Sequence, residues 1–319
     1  MKKVLPLFLI CILICCGAHA QRTEVYNPHI HTVQVIANND YMAPAAIRLG
    51  EGETVEISFD HLTHDYHRYQ YVLTHCNADW TPSDLSETEY LDGFNDNPIE
   101  DHDISVNTTL PYTHYRLTFP NDQVRPKLSG NYRLLVYDDA EGKNKPAFST
   151  CFRILEKEVN ISAQVSSDTE IDRNKNHQQV SFSIQHKGYP IRNPQNEIRV
   201  HVLQDNRTDN EVINLQPSYV GPDQLRYEHN RALIFPAGNE YRRFEMVSTR
   251  YASQGVESIR YHAPYYHVTL QPDQPRLLNY SYDQDQNGRF VIRYDEAVDN
   301  NTEADYFFVH FSLLWENPL

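Results

Sequence analysis

Short segments in which apolar and polar residues alternate recur along most of this sequence, and they limit its possible folds more than any other feature. Clear examples, with apolar residues at every second position, are Val55/Ile57/Phe59, Tyr115/Leu117/Phe119 and Tyr132/Leu134/Val136. A period of two residues predicts strands with one buried and one wet face, as in antiparallel sheets. Between residues 32 and 155, only residues 83–91 could form a helical turn or two. The sequence therefore predicts an all-β chain of tandem immunoglobulin-like β-sandwich modules.

The predicted strands divide the chain into modules separated by polar or proline-rich seams. Residues 21–157 form a first β-sandwich domain, which ends near Glu156-Lys157-Glu158, and residues 158–271 form a second. Residues 272–319 begin a third, incomplete β module. In the first module we expect strands at 32–36, 54–59, 69–75, 112–119, 130–137 and 148–155. In the rest we expect strands at 159–165, 178–184, 198–204, 241–247, 256–261, 265–270, 278–282, 290–294 and 306–314.

The first twenty residues have the pattern of a secretory signal peptide. Lys2 and Lys3 precede a short apolar run, and Ala18-His19-Ala20 supplies a small-x-small cleavage site that leaves Gln21 first. The run is too short to span a bilayer as a helix. A lipoprotein modified at Cys16 is the alternative, but the residue before such a cysteine should be small. We therefore expect an exported protein without a membrane span.

Composition excludes some partners. The chain has 28 Lys and Arg against 43 Asp and Glu, a formal net charge of −15. Such a charge repels nucleic acid and anionic lipid, so we expect neither as a partner. The 22 Tyr agree with an all-β chain, because aromatic and β-branched residues are enriched in strands.

No motif for catalysis, cofactor binding or metal binding is convincing. Asp283-x-Asp285-x-Asn287-Gly288 begins like a calcium loop, but Tyr294 stands where a bidentate Glu is required, so a plain hairpin is favoured. His61, His64 and His67 recur at three-residue spacing, yet no second cluster completes a zinc site. A solvated acidic-histidine loop is the favoured interpretation. Nucleophile-elbow, phosphate-loop and zincin motifs are absent, which predicts a protein that is not an enzyme.

Two cysteines, Cys76 and Cys151, remain after removal of the signal peptide. In an exported chain they could form a disulfide, or they could be two buried free thiols. The sequence leaves both alternatives open.

Residues 69–94 combine a strand with a constructed corner. The strand ends at Asn77-Ala78-Asp79, and Trp80 and Pro82 follow at once. Asn, Asp and Pro fix local backbone geometry, so this corner should be ordered. It could be an aromatic plug that closes one end of the sandwich, or a recognition loop; composition favours the plug.

Several long strings of this chain resemble the type IX secretion system plug protein family of Bacteroidota, formerly a domain of unknown function. The strings are HCNADWTPS, EYLDGF, YTHYRLTFPN, LSGNYRLLV, IRNP, GNEYRRF and DQNGRF. The resemblance implies a non-enzymatic periplasmic plug that seals the lumen of an outer-membrane translocon β-barrel when no substrate passes. It also implies a further β-module after Leu314, so we expect the strand at 306–314, apolar on both faces, to lack cover.

The residues for contact with that barrel are taken from the same strings. The candidates are Trp80, Pro82, Tyr90, Phe94, Tyr112, His114 and Tyr115. Core packing is an alternative role for most of them. The competing function is an exported sandwich that binds or processes carbohydrate, suggested by the Tyr and Trp content and by the acidic loops.

Overall fold

The computed structural model describes residues 22–173, 176–237, 243–272 and 288–312. The predicted signal peptide, the predicted strand at 278–282 and the calcium-like residues Asp283, Asp285 and Asn287 lie outside these ranges. Among the described residues, no helix is long and apolar enough to cross a membrane.

The first module is a sandwich of two main sheets, which confirms the predicted β fold. One sheet has the order β1-β12-β11-β5-β7, and β3 also pairs with β12; the other has the order β2-β4-β9-β8. Strands of the first sheet are β1 (Glu24–Val25), β3 (Ala46–Arg48), β5 (Tyr69–Cys76), β7 (Asn97–Pro98), β11 (Gly130–Asp138) and β12 (Pro146–Leu155). Strands of the second are β2 (Ile30–Ala37), β4 (Val55–His61), β8 (Asp101–Ile104) and β9 (Thr113–Phe119). A short ribbon and a helical turn complete the module: β6 (Leu91–Gly93), β10 (Val124–Pro126) and α1 (Glu87–Tyr90).

Aromatic rings from both sheets fill the space between them. The Phe59 ring stacks on Tyr115 at 5.0 Å and meets the edges of Tyr69 and Phe148 at 5.0 and 4.9 Å. All these side chains are fully buried. Each ring buries a large apolar area and gains further from edge and offset contacts, so this cluster fixes how the sheets stack.

The second module has a smaller sheet with shorter strands. Its main sheet has the order β13-β14-β18-β17, with β19 also on β14, and β15 and β16 form a separate pair. The strands are β13 (Asn160–Ser166), β14 (His177–Gln185), β15 (His201–Val202), β16 (Val212–Ile213), β17 (Tyr219–Val220), β18 (Gln224–Tyr227) and β19 (Ile234–Pro236). Between them lie α2 (Pro194–Glu197) and a 3-10 turn (Arg231–Leu233).

Some strands predicted beyond the first module are shorter or absent. The strand predicted at 198–204 is reduced to β15, because α2 ends at Glu197, whose carboxylate accepts the Arg192 and Asn193 amides at 3.0 Å. The prediction of strands at 241–247 and 290–294 was wrong for their described residues, 243–247 and 290–294, which have no ladder partner among the residues that the structure describes. Alternation alone does not supply the neighbouring strand that a ladder requires.

A third sheet joins two parts of the chain that the sequence assigned to different modules. It consists of β20 (Val256–His262), β21 (Tyr265–Leu270) and β22 (Phe307–His310), and α3 (Asn300–Glu303) precedes β22. β22 runs parallel to β21, with Val309 beside Val268. The predicted terminal strand is thus paired rather than alone, and the segment before it packs on the first module.

Candidate interaction site

The corner after β5 is held by its own hydrogen bonds, as its residue types predict. The Trp80 amide donates to the Asn77 carbonyl at 3.0 Å, and the Asn77 amide donates to the Thr81 carbonyl at 2.8 Å. Asp79 accepts the Thr81 hydroxyl at 2.6 Å. Trp80 has a left-handed backbone with φ of 66°, which is uncommon for a bulky residue and persists only where surroundings impose it.

Trp80 is buried, but it does not plug the end of the sandwich. It is 7% exposed, and the Arg153 guanidinium lies 5.5 Å from its ring centre. Phe152 and Ile154, the neighbours of Arg153 on β12, face the core. Arg153 therefore points to the outer face of that sheet, and Trp80 covers this outer face with a cation–π contact. The prediction that this corner plugs one end of the sandwich was therefore wrong, because Trp80 covers the outer face of the sheet instead.

Phe94 is the exposed aromatic of the same stretch, presented by a fixed loop. Its side chain is 85% exposed. Gly93 before it has φ of +105°, and a Cβ there would lie 2.1 Å from the Gln123 carbonyl oxygen. The Asn97 side chain donates to the Phe94 carbonyl at 2.6 Å, and Asn95 hydrogen-bonds both backbone groups of Leu73 at 2.8 Å. An ordered, exposed aromatic ring is a typical anchor for a partner.

The other sequence candidates divide by burial. Pro82 is exposed. The buried candidates are Tyr90, Tyr112, His114 and Tyr115. The Tyr90 hydroxyl donates to the Leu73 carbonyl at 3.1 Å, and the Tyr115 hydroxyl donates to the His67 carbonyl at 3.0 Å. These residues pack the module, so only Pro82 and Phe94 stand where a partner could touch them directly; such contact stays a prediction.

A buried polar cluster ties the segment before β22 to the first module. His114 Nδ1 lies 2.6 Å from Asp60 Oδ1, and both side chains are nearly inaccessible. The Tyr306 hydroxyl donates to Asp60 Oδ2 at 2.6 Å and also contacts the Thr32 hydroxyl. Burial, with the Asp60 charge second, raises the pKa of Tyr306 above its usual value. Tyr306 therefore remains a neutral donor to the carboxylate.

Further hydrogen bonds around this cluster hold residues 302–305 on the first module. The Tyr112 hydroxyl donates to the Ala304 carbonyl at 2.8 Å, and the Thr109 hydroxyl donates to Asp305 at 2.7 Å. The Val106 amide donates to the Thr302 carbonyl at 2.8 Å. Beside these contacts lies an open cavity of about 1150 Å³, whose lining includes residues of the first module, of 243–249 and of 288–309.

Sequence reasoning selected Tyr112 and His114 of this cluster but missed Asp60, Thr32 and Tyr306 as their partners. The hydrogen bond from Tyr306 to Asp60 joins residues 246 positions apart. No local pattern signals so distant a pair. The aromatic residue at the start of the predicted terminal strand was the only available hint.

The three histidines at and after the end of β4 do not form a uniformly solvated loop, so that interpretation was wrong. His61 is buried at the end of β4, with Nδ1 3.1 Å from the Tyr69 hydroxyl, whereas His64 is exposed. The His67 ring centre lies 4.1 Å from that of His61, and its Nδ1 is 2.7 Å from Asp138. Burial, followed by the nearby His67 and His29, lowers the pKa of His61 to about 4. Within the described ranges, no group of His, Cys, Asp or Glu could hold a metal ion.

Comparison with known proteins places these features in a family. Residues 30–156 match the family described as type 9 secretion system plug protein 1st domain. A crystal structure of a hypothetical protein from Parabacteroides merdae has 48% identity and a TM-score of 0.87, and covers 91% of this chain and 73% of that chain. A DNA-bound alkylpurine DNA glycosylase from Pseudomonas fluorescens reaches 12% identity and a TM-score of 0.22 over 40% of this chain and 30% of that chain. No curated protein matches.

The fold is that of an all-β protein with tandem sandwich modules, and aromatic rings fill the core of the first module. The matched residues 30–156 comprise almost all of that module. The chain belongs to the type IX secretion system plug protein family. Its role is therefore related to type IX secretion, in the envelope of an exporting cell.

Proposed function

We propose that this protein is a non-enzymatic plug of the outer-membrane translocon barrel of the type IX system. It acts from the periplasmic side and closes the barrel lumen when no substrate passes. The single observation that carries the proposal is the family match over residues 30–156. An open barrel of large diameter would leak solutes, so a folded stopper has a physical purpose.

The construction of the first module supports such a role. A stopper must keep its shape against a pore, and shape is kept by close packing. Rings from both sheets pack around Phe59, and the Tyr306 hydroxyl holds its segment on the outer side of β4. Phe94, ordered and exposed, offers an anchor for the barrel wall.

Outer-membrane permeability tests the proposal. The gene is deleted in its native host, and entry of a large antibiotic that the intact membrane excludes is measured. We expect greater entry in cells that have the translocon, and a return to the exclusion shown by intact cells when the translocon gene is deleted as well. Complementation with the full chain should restore exclusion.

Other outcomes would favour the competing functions. Unchanged permeability, or a leak that persists without the translocon, would contradict plugging. Saturable binding of the purified full chain to defined oligosaccharides, with no co-purification of the barrel, would favour the carbohydrate-binding alternative. Release of sugar from those oligosaccharides would show that the protein is an enzyme.

A further inference from the structure

Strand β13 is an edge strand whose outer side is open. It lies at the end of the sheet order β13-β14-β18-β17 and pairs only with β14 within the described residues. All its residues except the last, Ser166, are exposed. Half of the backbone N–H and C=O groups of an edge strand point away from its neighbour, which leaves them available for another strand.

The open edge is apolar on one face. Ile161 is 66% exposed and Val165 is 58% exposed, with Ala163 between them also exposed. The ladder register places Ile161 beside Ile184 and Ala163 beside Phe182, and both of those partners belong to the module's core. The core face of the sheet therefore continues, uncovered, to its edge.

Other long edges of the described structure carry features that block pairing. β2 has an irregular register between His31 and Gln34. β20 contains Glu257 and Arg260 and has a register shift after Val256. β13 has the sequence NISAQVS, without charge, proline or shift in register. Natural proteins normally protect such edges, so an unprotected one indicates a surface that is used.

A second copy of this chain is a poor occupant of the edge. Antiparallel pairing of two copies centred on Ala163 would place Ile161 opposite Val165, which is favourable. The same register brings Glu158, two residues before β13, towards Asp168, two residues after it; both carboxylates are exposed, and Asp168 makes an exposed ion pair with Arg173. Like charges brought together at the ends of a strand pair repel each other, and each whole chain carries a formal charge of −15. The occupant should instead bring basic residues to these ends.

We propose that β13 is a strand-addition site for an extended segment of another protein. That segment has apolar residues at alternate positions, which cover Ile161, Ala163 and Val165, and Lys or Arg at its ends, which face Glu158 and Asp168. Backbone hydrogen bonds supply the pairing, while the alternate apolar side chains supply the selectivity. This inference does not depend on plugging of the barrel.

A labelled synthetic peptide tests the site with the full chain. The probe has Val at alternate positions, Thr between them and Lys at both ends; a second probe has Glu at both ends. Fluorescence anisotropy should show saturable binding of the first probe, weaker at high salt, and at least about tenfold weaker binding of the second. Hydrogen exchange should slow in residues 160–166 when the first probe is bound.

Matched variants on opposite faces of β13 locate the contact. Val165→Lys places a charge on the apolar face and should weaken binding of the Lys-ended probe at least about tenfold. Gln164→Lys adds the same charge on the other face and should retain binding to within about twofold. Both positions are exposed, so both variants should fold like the unchanged protein.

Several results would overturn the proposal. These are no saturable binding by the unchanged protein, equal loss in both variants, and slowed exchange elsewhere than in 160–166. A dimer in light scattering that Val165→Lys dissociates would show that the occupant is a second copy.

Discussion

The first two modules differ in the size of their buried apolar cores. In the first, apolar and aromatic residues of both sheets form one continuous buried cluster that includes Phe59, Tyr115 and Phe148. In the second, the buried cluster is much smaller and includes Phe182, Leu225 and Tyr227. Because stabilisation grows with the apolar area removed from water, the first module should be the rigid one. The second keeps an open edge and can accept a strand.

Substitutions in the cores of the two modules should have the largest effects on stability. Phe59→Ala should destabilise the first module by about 3–5 kcal/mol, and Leu225→Ala should destabilise the second by about 2–5 kcal/mol. Calorimetry should show two transitions, with the second module melting first. Leu225→Ala should lower only the early transition and Phe59→Ala the late one. A single transition lowered equally by both would mean that the modules unfold as one unit.

The corner and the neighbouring loop of the first module each carry an aromatic residue, one buried and one exposed. Trp80→Ala should cost about 3–5 kcal/mol because it removes the buried ring under Arg153. Phe94→Ala should change stability by no more than about 0.5 kcal/mol, because its ring is exposed. Denaturant unfolding measures both. A small effect of Trp80→Ala would contradict its packing role.

Phe94→Ala has a second expected effect, on partner binding. Loss of an anchor ring should weaken co-purification with the translocon barrel, whereas Val298→Ala, at a position 98% exposed, should leave it unchanged. Equal recovery of the barrel with both variants would remove Phe94 from the interface.

The strands of the first module could be predicted because their local pattern and their tertiary environment agree. Residues 130–137 alternate in sequence, and β11 has strands on both sides with one face on the core. In the second module this agreement fails. Residues 243–247 alternate too, but no strand within the described part of the chain pairs with them, and α2 shortens the predicted strand after it. Pairing between distant segments is decided by the whole fold, not by local pattern.

A buried histidine gives the first module a pH dependence. The pKa of His61 falls from 6.5 to about 4, chiefly by burial. Below pH 6.5 the unfolded chain binds a proton that the folded protein does not accept until about pH 4. The stability that neutral His61 gives the folded protein is therefore complete above pH 6.5. It is lost as the pH falls from 6.5 to about 4, by about 3 kcal/mol in total.

His61→Gln should flatten this part of the stability profile, because Gln can accept the Tyr69 hydroxyl but does not titrate. Denaturant unfolding at pH 7 and pH 5 compares the two proteins. The exposed His64, replaced in the same way, is the control. A profile as steep with Gln at position 61 as with His would place the pH dependence elsewhere.

The docked segment gives a smaller, local effect. Tyr306→Phe removes the hydroxyl that joins Asp60 and Thr32, and should weaken docking by about 1–3 kcal/mol because a buried carboxylate loses a donor. Hydrogen exchange should become faster in residues 300–310 and stay unchanged in β11. Tyr251→Phe is the control, because Tyr251 is half-exposed and its hydroxyl donates to Asp295 at an exposed site. Unchanged exchange in Tyr306→Phe would mean that the backbone contacts alone hold the segment.

The candidate site was predicted less well than the fold, and the reasons are physical. The corner and its loop could be recognised, since Asn, Asp, Gly and Pro act within a few residues. The sequence could not show which aromatic residue faces solvent, because Trp80 and Phe94 differ only in what packs against them. The link between Asp60 and Tyr306 depends on distant segments meeting.

Reduction of the protein should have no effect on its stability, because its two described cysteines are too far apart to form a disulfide. Cys76 on β5 aligns with Asn131, and Cys151 on β12 aligns with Arg133, so β11 lies between them. Neighbouring strands are about 4.8 Å apart, which puts the two thiols' Cα atoms at least about 9 Å apart. A disulfide requires less than about 7 Å. Both are free, and burial raises the pKa of the Cys151 thiol to about 11.

Reductant should therefore leave the melting temperature unchanged, although loss of a disulfide typically costs about 2–5 kcal/mol. Cys151→Ser should likewise melt at the same temperature with and without reductant. Cys76 is buried and Cys151 half-buried, and burial raises the pKa of both thiols. Such protonated thiols react slowly, so a thiol reagent should label the folded chain more slowly than the denatured chain. A melting temperature that falls with reductant, in the unchanged protein but not in Cys151→Ser, would require β5 and β12 to approach each other without β11 between them. The register of the first sheet would then be wrong, and the contrast between a rigid first module and an open second one would lose its basis.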